Sequence, residues 1–221
     1  MIEWVFEKVS PIFDYLCVAT DDERIKTVVE NIGCKVIMTS PDHHSGTERC
    51  YEAYEILTSE MKLKFTHVVN IQGDEPLIKT EQIEELISCF DVKGTDIATL
   101  IQPFNQDEDI ADPNIVKVVV DQNFRALYFS RSPIPFIRSV NSGEWMKSHT
   151  YYKHIGLYGY SVRALREITR LKSAPLEQAE SLEQLRWLEN GYRIQTKIST
   201  YQSIGVDTPE DLERIKNNPD L

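Results

Sequence analysis

Short continuous apolar runs alternate with amphipathic helical stretches along this chain. That alternation restricts it to an α/β architecture more firmly than any other feature. YLCVA (Tyr15–Ala19), KVIM (Lys35–Met38), HVVNI (His67–Ile71) and DIATLI (Asp96–Ile101) read as strands buried on both faces. Helical spacing fills the gaps. Met1–Ile12 places Ile2, Val5, Phe6 and Val9 on one face. Thr20-Asp21-Asp22 opens a helix with Ile25, Val28 and Val29 aligned. Ser45 and Glu48 make a capping-box signature ahead of Tyr51, Tyr54 and Leu57, and Thr80–Phe90 is a further helix. The series predicts a parallel sheet covered by helices on both sides.

The middle of the chain changes character. Val116–Val120 and Ala126–Phe129 flank Asp121-Gln122-Asn123-Phe124, which predicts a hairpin. Arg131–Ser148 is rich in Pro, Ser and Gly and reads as an arm or an oligomer contact, so residues 130–160 are expected to form a small dimerisation and substrate subregion of a single domain. Glu177–Asn190 reads as one helix, with Leu182, Leu185 and Leu188 periodic and Gly191 as its stop. Ile194–Ile198 is a strand, and Thr208 with Pro209 opens the last helix.

Composition removes several functions. The formal charge of −11 over 221 residues argues against nucleic-acid binding. No apolar run approaches the roughly 20 residues of a membrane span. The four cysteines show no CxxC spacing and are expected as free thiols in a reducing cytoplasm.

In open α/β sheets ligands bind beyond the carboxyl ends of the strands. Gln72-Gly73-Asp74-Glu75-Pro76 stands at such an end, with Gly73 letting the backbone turn and Pro76 fixing the exit. Asp74 either caps the turn or holds a hard cation such as Mg²⁺. Asp207 follows another strand end, just outside the helix that Thr208 caps, and is either a solvated turn residue or a second ligand to the same cation. His43-His44-Ser45-Gly46-Thr47-Glu48-Arg49 leads into a helix; it is either an ordinary capped start or a cradle whose amide groups and Arg49 fork meet a base or an anion. His154 and Tyr158 fall on one side of a strand and line either a pocket or a surface. Glu183 and Gln184 flank the apolar stripe of their helix.

Eight blocks taken in order are more specific than any one. VATDDERI, VIMTSPDHHSGTER, VVNIQGDEPLI, NIVKVVVD, YFSRSPIPF, YKHIGLYGY, PLEQAESLEQLRWLENGYRI and IGVDTPEDLERI together resemble the CMP-Kdo synthetases, the 3-deoxy-manno-octulosonate cytidylyltransferases. The resemblance implies a Rossmann-like α/β nucleotidyltransferase fold (the nucleotide-diphospho-sugar transferase sheet) with a small dimerisation region. It implies CTP and the sugar acid Kdo as substrates, CMP-Kdo and pyrophosphate as products, and a cytoplasmic homodimer serving lipopolysaccharide assembly. By motif, Asp74 and Asp207 would be catalytic Mg²⁺ ligands. Ser45, Gly46 and Arg49 would lie near the nucleotide. Gln72, Arg131, His154, Tyr158, Glu183 and Gln184 would surround Kdo, with Arg131 suited to its carboxylate. Another 3-deoxy sugar acid, 8-amino-Kdo or a sialic acid, is the alternative substrate, and a non-catalytic dimeric scaffold the alternative role. Family members carry a further strand and a triphosphate-holding loop, resembling IPARYxSTRLPGKPL, ahead of the point matching Met1. The chain as written is therefore expected to bind CTP weakly and to be less stable.

Overall fold

The computed structural model describes residues 1–201 together with Val206 and Glu213. The chain divides into two compact units, one of residues 1–84 with the described residues from Tyr201 onward, the other of Glu85–Thr200.

The first unit holds α1 (Ile2–Val9), β1 (Cys17–Thr20), α2 (Glu23–Asn31), β2 (Lys35–Met38), α3 (Gly46–Met61) and β3 (His67–Asn70). The boundary falls inside α4 (Thr80–Ser88). β1 and β2 are parallel, pairing Cys17 with Lys35 through Thr20 with Met38. Behind them Ile37, Ala53 and Leu57 form a core that Ile56 and Phe65 extend. α2 starts where expected: Asp22 is its N-cap and accepts from the Arg24 amide at 2.7 Å. α1 is shorter than the periodicity predicts and buries Val5 and Val9.

The expected turn forms, with the Glu75 amide donating to the Gln72 carbonyl at 3.4 Å, but Gly73 serves it through lack of a side chain and not through an unusual backbone angle. Its φ is not in the left-handed region; instead a Cβ there would lie 3.3 Å from Ile2 Cδ1. The missing side chain makes room for α1 against the QGDEP segment.

The second unit continues with β4 (Ile97–Pro103), β5 (Lys117–Val120), β6 (Ala126–Ser130), α5 (Trp145–Ser148), β7 (Tyr152–Ser161), α6 (Val162–Ile168), α7 (Pro175–Glu180), α8 (Glu183–Glu189) and β8 (Ile194–Ile198). Its strands lie in the order β6-β5-β7-β4-β8. β4 runs parallel to β8 and antiparallel to β7, so this sheet is mixed rather than purely parallel. β4 is buried along nearly its whole length, as a continuous apolar run requires. The hairpin forms at the expected turn, with Asp121 Oδ1 accepting from the Asn123 and Arg125 amides at 2.7 and 2.9 Å and Phe124 at φ 57°.

The helix expected over Glu177–Asn190 is two helices. Ser181 takes the left-handed conformation at φ 52°, and the Leu182 amide donates back to the Glu177 carbonyl at 3.2 Å. That bond closes a Schellman-type end. α7 and α8 then fold on each other through Arg186, whose Nε and Nη2 pair with both oxygens of Glu177 at 2.8 and 2.5 Å. Burial raises the Glu177 pKa, but Arg186 and the Ala174 amide outweigh it, and the net shift is downward. Of the last predicted helix, from Thr208, only Glu213 is among the described residues.

Candidate functional site

The ends of β1, β2 and β3 gather one set of candidate residues. Ser45 caps α3, accepting from the Glu48 amide at 3.2 Å, while the Glu48 carboxylate reaches back to the His44 amide at 2.9 Å. Arg49 is held rather than free. Its Nη1 donates to Thr39 Oγ1 at 2.6 Å and its Nη2 pairs with Asp21 at 3.2 Å, spanning the residues that follow β2 and β1. Glu52 fixes the loop between β2 and α3, accepting from the Ser40 amide at 2.8 Å and meeting His43 Nε2 at 2.5 Å. Those two bonds, the amide first, hold its carboxyl below the usual range. A Cβ on Gly46 would stand 3.5 Å from Asn70 Nδ2 and 3.5 Å from Gln72 Nε2. The start of α3 thus meets the end of β3, bringing Gly46 and Gln72 together.

Asp74 is half-buried in the turn after β3, and among the described residues nothing is bonded to its carboxylate. The Val206 amide donates to the Asp74 carbonyl at 2.9 Å. Asp207, next in sequence to Val206, lies outside the described residues. Among the described residues no three His, Cys, Asp or Glu side chains gather as a preformed metal cage. The donor Asp74 offers, one half-buried carboxylate with free oxygens, is of the kind Mg²⁺ takes, because Mg²⁺ binds through one or two carboxylates and completes its shell with water and phosphate.

The second unit holds the other set. His154, Tyr158, Tyr160 and Trp187 form an aromatic cluster: His154 and Tyr158 centroids stand 5.3 Å apart, and Trp187 of α8 packs edge-on against Tyr158 at 5.1 Å. Thr99 of β4 sits beneath them, completely buried. Its hydroxyl lies 3.0 Å from the Ile155 carbonyl, 2.9 Å from the Leu157 carbonyl and 3.1 Å from His154 Nε2. Carbonyls only accept, so with the hydroxyl proton given to one of them His154 donates to Thr99 from Nε2. Its Nδ1 is then left as an acceptor. Burial pushes this imidazole down to about 4, so it is neutral at physiological pH. Burial, with Tyr160 and Glu183 nearby, pushes Tyr158 well above the usual phenol range despite Thr99. The Tyr158 hydroxyl is buried and makes no hydrogen bond of good geometry. Among the described residues the phenol oxygen is thus left short of a well-formed partner.

Arg131 follows β6. Its Nε donates to the Glu180 carbonyl at 2.7 Å, its Nη1 to the Pro113 carbonyl at 2.8 Å and its Nη2 to the Ser181 carbonyl at 3.4 Å. The guanidinium is anchored, with N–H groups left over. Glu183 and the buried Gln184 stand in the first turn of α8, one turn before Trp187.

Sequence reasoning passed over Asp21, Thr39, Glu52, Thr99 and Glu180. Thr99 had a signal, since a hydroxyl within the apolar run IATLI has to find its bonds inside the core. Glu52 and Glu180 read as ordinary wet helix positions.

A profile of the family described as Cytidylyltransferase matches residues 1–198. The chain belongs to the cytidylyltransferase family. This cytidylyltransferase is 52% identical over 218 residues to the 3-deoxy-manno-octulosonate cytidylyltransferase of Parabacteroides distasonis, covering 97% of this chain and 85% of the relative. It is 54% identical over 217 residues to the protein of the same name from Phocaeicola vulgatus, covering 97% and 84%. The solved structure of CMP:2-keto-3-deoxy-manno-octonic acid synthetase complexed with CTP superposes with a TM-score of 0.86 at 38% identity, covering 97% of this chain and 85% of that one. A Bacillus anthracis structure described as a glucose-1-phosphate thymidylyltransferase superposes with a TM-score of 0.61 at 16% identity, a likeness of fold. No helix among the described residues is long and apolar enough to cross a membrane.

Proposed function

We propose that this cytidylyltransferase transfers CMP from CTP to the anomeric hydroxyl of Kdo, releasing pyrophosphate, as a cytoplasmic, Mg²⁺-dependent homodimer in lipopolysaccharide biosynthesis. The observation that carries the reading is the 52% identity, over 97% of the chain, to an enzyme of that name. The geometry fits it.

The anomeric oxygen attacks the α-phosphorus, the bond to the bridging oxygen breaks, and that oxygen leaves on pyrophosphate. Both reactants are anions, so cations and hydrogen-bond donors must offset their repulsion. Arg49, fixed between Asp21 and Thr39, and the amides opening α3 suit the nucleotide. Arg131 suits the sugar carboxylate with the N–H groups its carbonyl partners leave over. The Tyr158 hydroxyl donates to a sugar oxygen, His154 Nδ1 accepts from a sugar hydroxyl, and Gln72, Glu183 and Gln184 complete the polar contacts. Asp74 and Asp207 would hold Mg²⁺, which when bound neutralises phosphate charge and acidifies the attacking hydroxyl.

The dimer reading rests on the arm between β6 and β7, where Phe136 is 73% exposed beside Trp145. Pyrophosphate release from CTP and Mg²⁺ with Kdo, 8-amino-Kdo or a sialic acid tests the reaction. Turnover with Kdo supports it, and turnover confined to another sugar acid overturns the substrate.

A further inference from the structure

Glu180 is the last residue of α7 and touches Arg131 twice, in two different ways. Its carboxylate holds the backbone of the arginine: Oε2 accepts from the Arg131 amide at 2.9 Å, and Oε1 accepts from the hydroxyl of the preceding Ser130 at 2.7 Å. That hydroxyl in turn accepts from the Ser132 amide at 3.0 Å, so the three residues leaving β6 are tied to one carboxylate. Its main-chain carbonyl holds the side chain of the arginine, accepting from Nε at 2.7 Å.

Helix ends supply the reason. The last carbonyls of a helix have no partner within it. Ser181 in the left-handed region turns the chain away after α7, and the Glu180 and Ser181 carbonyls accept from the guanidinium instead. The same turn leads through Leu182 into Glu183 and Gln184. Two segments distant in sequence, the one carrying Arg131 and the one carrying Glu183 and Gln184, are thereby registered against each other through one side chain.

We propose that Glu180 is a positioning residue for sugar-acid binding, locking Arg131 in place and aligning it with the start of α8. This rests on the reading of Arg131 as the partner of the Kdo carboxylate. Glu180 meets no substrate; it acts through Arg131. A neutral glutamine preserves the lock, because its amide oxygen accepts from the Arg131 N–H while its amide nitrogen donates to the Ser130 hydroxyl.

The test is calorimetric titration of Kdo, and separately of CTP, into the protein and its Glu180→Ala, Glu180→Gln, Arg131→Ala and Glu180→Ala/Arg131→Ala variants. Loss of the lock is expected to weaken Kdo binding about tenfold in Glu180→Ala while leaving CTP unchanged. Glu180→Gln is expected to bind Kdo within about twofold of the parent, and the double variant no more weakly than Arg131→Ala, since a residue acting through another adds nothing once its target is gone. If Arg131→Ala weakens Kdo but Glu180→Ala does not, or if the two losses add, Glu180 is not a positioning residue and the role of Arg131 stands. Equal loss of CTP and Kdo affinity in Glu180→Ala marks a general structural defect and overturns the proposal. If neither alanine variant weakens Kdo binding, the role of Arg131 falls and the proposal with it.

Discussion

His154 and Tyr158 are four residues apart on one strand, yet their ring centroids are 5.3 Å apart. A regular strand would separate such residues by roughly 13 Å, at about 3.3 Å per residue. The pairing explains the difference: Thr99 lies opposite Tyr158 while its neighbour Leu100 lies opposite Ile155, so Gly156 and Leu157 are extra residues bulged out of β7. The carbonyls that Thr99 engages, Ile155 and Leu157, lie at and within the bulge, which brings the two rings together at a tilt of 47°. Bulges re-aim side chains beside active sites in this way.

Tyr158→Phe separates binding from stability. Among the described residues the buried phenol oxygen has no well-formed partner, so removing it should leave thermal stability unchanged or raise it by up to about 1 kcal/mol. If the hydroxyl donates to the sugar, Kdo affinity should fall about tenfold. Melting and Kdo titration on one preparation measure both, and a drop in stability with unchanged Kdo affinity would make Tyr158 a core residue.

His154 makes stability depend on pH. Its folded pKa of about 4 lies below the unfolded 6.5, so between those values the unfolded chain binds the extra proton. The contribution is complete above pH 6.5 and is lost as pH falls toward 4, amounting to about 3 kcal/mol over the window. His154→Gln, which keeps a donor for Thr99, should show a shallower decline in urea-unfolding free energy across that range. An unchanged slope would mean the imidazole is not held neutral.

Asp74→Asn tests the cation. Its carboxylate carries no bond among the described residues, so the melting temperature should hold while cytidylyl transfer falls about 10²-fold or more. A parallel measurement should show Mg²⁺ dependence shifted to higher concentration. Full activity in the variant would remove Asp74 from the reaction.

Gly159→Ala should destabilise by about 1–3 kcal/mol, because the new methyl would lie 2.8 Å from Phe90 Cε2 and either β7 or the ring must move. Gly156, on the same strand, has nothing within 4 Å of its Cβ position, so Gly156→Ala is the control for lost backbone freedom alone. Equal melting temperatures for the two would show that Phe90 yields without cost.

Local patterns, read from sequence, located most of the strands and helices, though not α5 or α6. The Ser45 cap, the Asp22 cap, β2 and β8 at Lys35–Met38 and Ile194–Ile198, and the QGDEP turn after β3 all follow from periodicity, capping and turn chemistry, which act over a few neighbouring residues. The resemblance of the ordered motifs then named the family.

What those patterns could not decide depends on partners distant in the chain. The leucine periodicity of Leu182, Leu185 and Leu188 is compatible with one helix across Ser181. At the break the Glu180 and Ser181 carbonyls find their partner in Arg131, some fifty residues away. Arg49 reads as a free cation until Asp21 and Thr39 are seen to hold it. The shifted imidazole of His154 and the orphaned hydroxyl of Tyr158 arise only when β4 and α8 close over β7 and exclude water. Burial is a property of the assembled core, and no stretch of sequence carries it alone.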